Sequence, residues 1–399
     1  MSGLRAALFD RSVWIVGLGS AVGYANTAAS SWIVSALLKD RGIGVQQASL
    51  VVTAELLTMA ITMIVLAPVA RRFPRKAVTL GGLAAMIAIQ ALCVLADPLA
   101  LLILLRAASG AAFGTLYTVA IINGVETRDP QRTFAGAAAI ALAVGTLFNP
   151  LVGYGSAEAG LAGVVIGLGT YCLVFALPLL LLRFDEPAGD AAAAKGEALP
   201  PLDKVKATGA LLLMALLTIA TNGTLLFTVE IAARVGLAGA ELGAGLALVS
   251  LLSAFGGVVA SWIGTRFGTF PPLAGGLSLM GLSLAGMTRV ADPAQFWCAV
   301  TLVVGLFWFL SPYIFGIAAA IDPHGRVASA TGSMKILFSA FAAAIAGAVA
   351  ARAGIEAVGL LALATCGVTV IMARIIVPLR TDIVAPAEAS AATASDKGR

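Results

Sequence analysis

LALLILLRAASGAAFGTLYTVAIIN, residues 99–123, runs for 25 residues with a single charge, Arg106. A bilayer core of about 30 Å, crossed at about 1.5 Å per helical residue, takes roughly 20 apolar residues, so this stretch is long enough to span a membrane as one helix. Eleven further stretches read the same way: 12–38, 47–70, 77–96, 134–154, 161–182, 207–233, 241–264, 270–289, 294–320, 327–351 and 355–377. They fill nearly all of the 399 residues. With 60% hydrophobic and 11% charged residues, the chain has far more apolar surface than one water-soluble core could hide. The long apolar runs show no strand alternation, which excludes a β-barrel, the other structure able to satisfy its backbone in lipid. The expected fold class is an all-α membrane protein with twelve transmembrane helices.

Basic residues collect on the cytoplasmic side of membrane proteins, and here they alternate from loop to loop. With the N-terminus inside, eighteen lysines and arginines fall in cytoplasmic segments and five, Lys39, Arg41, Arg234, Arg289 and Arg352, fall outside; Arg106 and Lys335 lie within spans. Both termini are therefore expected in the cytoplasm, in a bacterial-type inner membrane. The net charge of +5 reflects that topology, and no nucleic-acid partner is expected. The opening MSGLRAALFDRS has a basic flank without a cleavage pattern, and the span after it is too long for a signal-peptide core, so it is read as a helix of the protein. Cys93, Cys172, Cys298 and Cys366 sit in different spans without ligand spacing and read as small buried apolar residues. No metal and no cofactor are expected.

Residues 185–206, DEPAGDAAAAKGEALPPLDKVK, are polar and broken by proline, and divide the spans six and six. The expected organisation is an N-terminal six-helix bundle over 1–183, a cytoplasmic linker over 184–206, a C-terminal six-helix bundle over 207–378 and a disordered cytoplasmic tail over 379–399. Loop anchors repeat between the bundles. Asp97-Pro98 recurs as Asp292-Pro293, Asp129-Pro130 with Arg132 as Asp322-Pro323 with Arg326, and Arg72-Phe73 as Arg266-Phe267, at offsets of 195, 193 to 194, and 194 residues. Four anchors in one order indicate a six-helix duplication. Two similar bundles can rock about a site between them and expose it to each side in turn.

Three local patterns carry a family resemblance. APVARRFPRK (67–76) places Arg71, Arg72, Arg75 and Lys76 in the loop after the second span, with Ala67, Arg71 and Pro74 where the related motif has glycine, aspartate and glycine. RAASGAAFG (106–114) sets Arg106, Gly110 and Gly114 four residues apart on one helix face. GTLFNPLVGY (145–154) presents Gly145, Pro150 and Gly153, with Asn149 in place of a glycine. Together with the duplication, these make the chain resemble the major facilitator superfamily of secondary transporters, in feel closest to its drug/proton antiporter and organic-acid members. The resemblance implies alternating access, a monomeric unit, and a central cavity lined by the first and seventh helices.

Charges at membrane depth are costly and mark function or pairing. Glu55 and Arg106 share a depth of roughly 10–12 Å from the outer face, and Lys335 lies about 12 Å from the inner face, so Glu55 can pair with Arg106 or with Lys335. Burial favours a protonated carboxyl group and a neighbouring cation favours the ionised one, so Glu55 and Arg106 are the expected proton-coupling or gating residues. Lys335 is expected to bind substrate. Asn26 and Asn222, 196 residues apart and both mid-span, are expected to line the cavity, with Tyr24, Tyr117 and Tyr313 as further substrate contacts. Asn149, Pro150 and Pro312 mark expected gating kinks. Glu230 and Arg234 are expected to pair at i, i+4 on the surface.

The chain has no GxxxxGK[ST] loop, no soluble segment of ATPase size and no catalytic constellation at one depth, so it is not expected to be an enzyme. A proton gradient supplies about 2.3 kcal/mol per charge per 100 mV. The expected function is proton-coupled transport of a small organic solute, an organic or aromatic acid in the first place because two cations at depth face one carboxylate. Export of amphipathic drug-like compounds by proton exchange is the alternative, and a non-transporting membrane receptor or scaffold a remote one. The expected partners are the small-molecule substrate, protons and the lipid bilayer.

Overall fold

The computed structural model describes residues 11–70, 73–96, 98–125, 127, 130–181, 202–264, 266–322 and 326–376. Arg71, Arg72, most of the expected linker and the expected tail lie outside these residues. Among the described residues there are helices and no strands. Ten stretches are long and apolar enough to cross a membrane, one of them, 136–178, being 43 residues and long enough for two crossings. With α1, which has the length but more serine, threonine and asparagine, this makes twelve crossings, and the chain is a multi-pass membrane protein.

The first four crossings are α1 (Arg11–Asp40), α2 (Val45–Leu66), α3 (Arg75–Val94) and α4 (Leu99–Val125). The fifth is built from α5 (Pro130–Gly145) and the first arm of α6 (Phe148–Leu181). Thr146 and Leu147 interrupt it, and Pro150 falls in the first turn of α6, where its missing N–H costs the helix nothing. The break expected at Asn149-Pro150 therefore falls just ahead of the proline.

A second break turns α6 into a hairpin. Ala159 (φ −143°, ψ 22°) and Gly160 (φ 54°, ψ −129°) leave helical geometry, and Gly155 and Gly163 of the two arms pack backbone to backbone. Gly160 is required twice over: its φ is positive, and a Cβ there would run into the Asp40 carboxylate. That carboxylate accepts the Leu161 N–H, capping the arm that forms the sixth crossing.

The seventh crossing combines α7 (Lys204–Leu225) and α8 (Thr228–Arg234); Asp203 caps it by accepting the Lys206 N–H at 3.2 Å. The remaining crossings are α9 (Gly239–Ile263), α10 (Phe270–Met287), α11 (Pro293–Ile321), α12 (Arg326–Ala353) and α13 (Ile355–Ile376). Helix α11 runs through Pro312 without a break. Cys298 is exposed on α11, against the expectation of burial, while the other three cysteines are buried on separate helices.

Packing within the first six crossings is closest between α2 and α4. Gly110 lies against the Glu55 carbonyl and Gly114 against Met59, so the glycine face of α4 lets the two backbones touch. The first and last six crossings meet mainly through α2 with α12 and α6 with α9. These contacts gather toward the end of the molecule where α1 stops. There Gly347 rests on Ser49, Gly153 lies between Gly239 and Gly243, and Ser35 Oγ donates to Glu230 at 2.6 Å while Lys39 Nζ stands 3.8 Å from the same oxygen. Glu230 thus joins α8 to α1, and Arg234 pairs with Glu356 of α13 instead of with Glu230. The helix twist that makes i, i+4 neighbours is overruled because each side chain meets an opposite charge or a hydroxyl across a helix boundary.

Candidate functional site

Two groups of polar residues are built into the bundle. The first is enclosed by the first four crossings. Arg106 of α4, 1% exposed, donates from one terminal nitrogen to Glu55 of α2 and to Asn26 Oδ1 of α1 at 3.2 Å, and from the other to Gln90 Oε1 of α3 at 3.2 Å. Gln90 Nε2 in turn donates to Ser109 at 3.2 Å. Of the two pairings open to Glu55, the structure therefore contains the one with Arg106. Glycine at 110 brings α4 so close to α2 that the arginine one turn earlier has no room to reach lipid or cavity, and four helices converge on it. Among the described residues, Glu55 Oε1, Arg106 Nε and Asn26 Nδ2 are buried without a hydrogen-bond partner.

Asn26 is consequently not where the sequence reading puts it. It is fully buried on Arg106, and its counterpart Asn222 stands in the cavity wall, so the symmetric amide floor does not form. A guanidinium with five donors and one carboxylate partner draws in any nearby amide oxygen, which breaks the symmetry of the repeat.

The second group lines the space between the first and last six crossings. Two adjoining chambers, of about 340 and 240 Å3, share Tyr24, Asn149, Asn222 and Ser250. The larger is walled by aromatic rings, Tyr24, Tyr117, Phe148, Tyr171, Phe307 and Trp308, and contains one charged side chain, Lys335. Its ammonium lies 4.9 Å from the Tyr24 ring centre and 4.7 Å from that of Phe307, so quadrupoles from α1 and α11 hold a cation that has no acidic partner among the described residues. No carboxylate lines either chamber.

Asn149 accepts the Trp32 indole N–H at 3.1 Å, and Asn222 Nδ2 donates to Ser339 at 2.6 Å. Asn149 was expected as a kink and is found as cavity wall. Tyr24 and Tyr117 are on the wall as well, but Tyr313 is not. Its hydroxyl donates to the Gly264 carbonyl at 3.1 Å, tying α11 to the end of α9 away from the cavity. In the loop motif, Arg75 is buried and donates to Asn123 Oδ1 at 3.0 Å, while Lys76 is exposed at the start of α3.

Sequence reasoning missed Gln90, Ser109, Ser339 and Trp32. Gln90 carried a signal, a lone amide in the middle of an apolar span. Ser339, four residues from Lys335, stands on the same helix face and could have been found by that spacing. Trp32, bonded to Asn149, and four rings on the wall, Phe148, Tyr171, Phe307 and Trp308, read only as apolar bulk.

A family model described as Major Facilitator Superfamily matches residues 15–346, and the chain belongs to that superfamily. Its fold is that of solved transporters. It is similar to the xylose transporter XylE from E. coli in a partially occluded inward-open conformation, with a TM-score of 0.70 and 12% identity over 92% of this chain and 99% of that one. It is also similar to the nucleoside transporter NupG, with a TM-score of 0.64 and 13% identity over 90% and 97% of the two chains. At these identities the likeness concerns the fold alone. A comparison with curated protein sequences finds no match. The protein is a membrane-embedded secondary transporter.

Proposed function

We propose that this transporter couples protons to the movement of a small organic acid, by alternating access, as a monomer in a bacterial-type inner membrane with both termini cytoplasmic. The observation that carries the reading is Lys335, the one charged residue on the chamber walls among those described, set among aromatic rings with no carboxylate beside it. Such a wall attracts one negative charge and an apolar or aromatic body. A cation would meet a like charge and no counter-ion. The closed end of the molecule, latched through Glu230 and the glycine contacts of α6 and α9, is the outer end by the distribution of basic loops, which makes this an inward-facing state.

Glu55 is the proposed proton site. Its Oε1 lacks a partner among the described residues, and a proton added there neutralises the carboxylate that holds Arg106. Leu56 and Thr27, the residues following Glu55 and Asn26, line the smaller chamber, so the cluster is one residue away from the substrate space. Protonation would loosen the junction of α1 to α4 and so bias the two arrangements of the bundle.

Purified protein in liposomes, with a pH reporter inside, tests both assignments. Organic acids should drive a pH change that Lys335→Ala abolishes. Glu55→Gln should retain acid exchange across the membrane and lose accumulation against a gradient. If Lys335→Ala transports like the wild type, the substrate assignment is wrong. A second reading, proton-driven export of amphipathic compounds, is favoured by the aromatic wall alone; a response to lipophilic cations and none to acids would select it.

A further inference from the structure

We infer that the central cavity selects an organic monoanion whose apolar body also carries a hydrogen-bond donor, a hydroxyl or an N–H group. This rests on the organic-acid reading above and adds what the polar atoms of the wall require of the rest of the molecule.

A side-chain amide has one accepting and one donating end, and the partner on one side decides which end faces a cavity on the other. Asn222 Nδ2 donates to Ser339 Oγ at 2.6 Å, and the single proton of Ser339 goes to the Lys335 carbonyl at 2.7 Å. Toward Asn222 the serine can only accept. The amide is therefore held with its NH2 on Ser339 and its Oδ1, an acceptor, left for the cavity. Asn149 is oriented the other way. An indole N–H donates only, so Trp32 takes the Asn149 Oδ1 at 3.1 Å and leaves the NH2 free. Ser250 sends its proton to the Leu246 carbonyl at 2.9 Å and can only accept from the chamber.

Among the wall groups whose direction is fixed by a partner, there are thus one cation, one NH2 donor and two acceptors, Asn222 Oδ1 and Ser250 Oγ, while the hydroxyls of Tyr24, Tyr117 and Thr221 can turn either way. A second negative charge on the ligand would face acceptors with no second cation. A ligand without a donor would leave Asn222 Oδ1 dry once water is displaced, a loss comparable to a buried hydrogen bond. Asn222 is bonded to Ser339, one turn along α12 from Lys335, and Asn222 and Lys335 both line the larger chamber, so one small molecule can meet the cation and the amide together.

The test uses four acids of one shape class with the full-length protein in liposomes: phenylacetate, 4-hydroxyphenylacetate, 4-methoxyphenylacetate and 1,4-phenylenediacetate. Initial proton-coupled rates are taken above those of protein-free vesicles, with quenching of intrinsic tryptophan fluorescence as a separate measure of binding. The hydroxy acid should move about tenfold faster than the parent acid or the methyl ether at sub-saturating concentration, and the diacid should not move. Ser339→Ala removes the acceptor that orients Asn222, so the preference for hydroxy over methoxy should fall to near parity while the protein still binds and moves acids. Equal rates for the three monoacids, a diacid that moves as fast, or undiminished discrimination in Ser339→Ala would each overturn the inference and leave the organic-acid reading standing. Neither flux nor quenching with any of the four acids would overturn that reading, and this inference with it.

Discussion

Arg106 and Glu55 show how far one charged pair governs its surroundings. Both side chains are 1% exposed, and the pair recruits Asn26, Gln90 and, through it, Ser109. Removing one partner from a buried pair leaves an uncompensated charge, which costs about 3–5 kcal/mol, whereas replacing both with apolar residues of similar volume is often near neutral. Arg106→Ala should accordingly lower the thermal unfolding midpoint in detergent sharply, while Glu55→Met combined with Arg106→Met should recover most of the loss. A double variant no more stable than the single one would show that the pair is not what sets stability here. The same double variant should lose proton-driven accumulation whatever its stability. Legibility at this scale was partial. The charge of Glu55, Arg106 and Lys335 at membrane depth stood out in the sequence; the choice of partner did not, because two cations lay within reach of one carboxylate and only the close approach of α2 to α4 selects between them.

Among the elements, α6 departs furthest from a simple span. Its sequence reads as the end of one crossing and the whole of the next, with Ala159-Gly160 between them; the boundary was visible as a lapse in apolar residues. The cap was not, since Asp40 lies 121 residues from the Leu161 N–H it accepts. Losing a capping side chain costs about 0.5–2 kcal/mol. Asp40→Ala should lower stability by that order, read as a shift in the unfolding midpoint. Gly160→Ala should cost more, because the new Cβ meets both an unfavourable φ and the Asp40 carboxylate. If Gly160→Ala leaves the midpoint unmoved, the hairpin geometry is wrong. Pro312 teaches the converse lesson about elements: a proline in an apolar span signals a lost hydrogen bond, yet α11 remains one helix around it.

Over the whole molecule, the first and last six crossings are closed against each other at one end by small residues and one carboxylate. Gly347 on Ser49 and Gly153 between Gly239 and Gly243 allow backbone contact, which must separate for that end to open. Bulk placed there should hinder that end from closing. A Cβ at residue 347 would run into the Ser49 side chain, so Gly347→Ala should hold α2 off α12 and slow transport in liposomes. Wild-type flux through Gly347→Ala would show that this contact is not part of the cycle. Glu230→Gln weakens the bond to Ser35 and Lys39 and should shift the population toward the opposite arrangement, seen as faster labelling of a cysteine placed at Ser31 in the wall of the smaller chamber.

From the sequence alone came the twelve crossings, the all-α class, the duplicated plan and the superfamily, because lipid imposes a minimum apolar length on every crossing and a repeat leaves loop anchors in register. The depth of each charge followed from counting residues along a helix. What only the tertiary structure decided is which side chains meet. Whether a mid-span residue faces cavity, neighbour or lipid depends on the rotation of its helix, and in an all-apolar span no periodicity records that rotation. Asn26 and Asn222 occupy equivalent places in the repeat and end in different surroundings, one held by a buried arginine and the other turned toward the cavity by Ser339. Their fates diverge because only the first half places a guanidinium beside its amide.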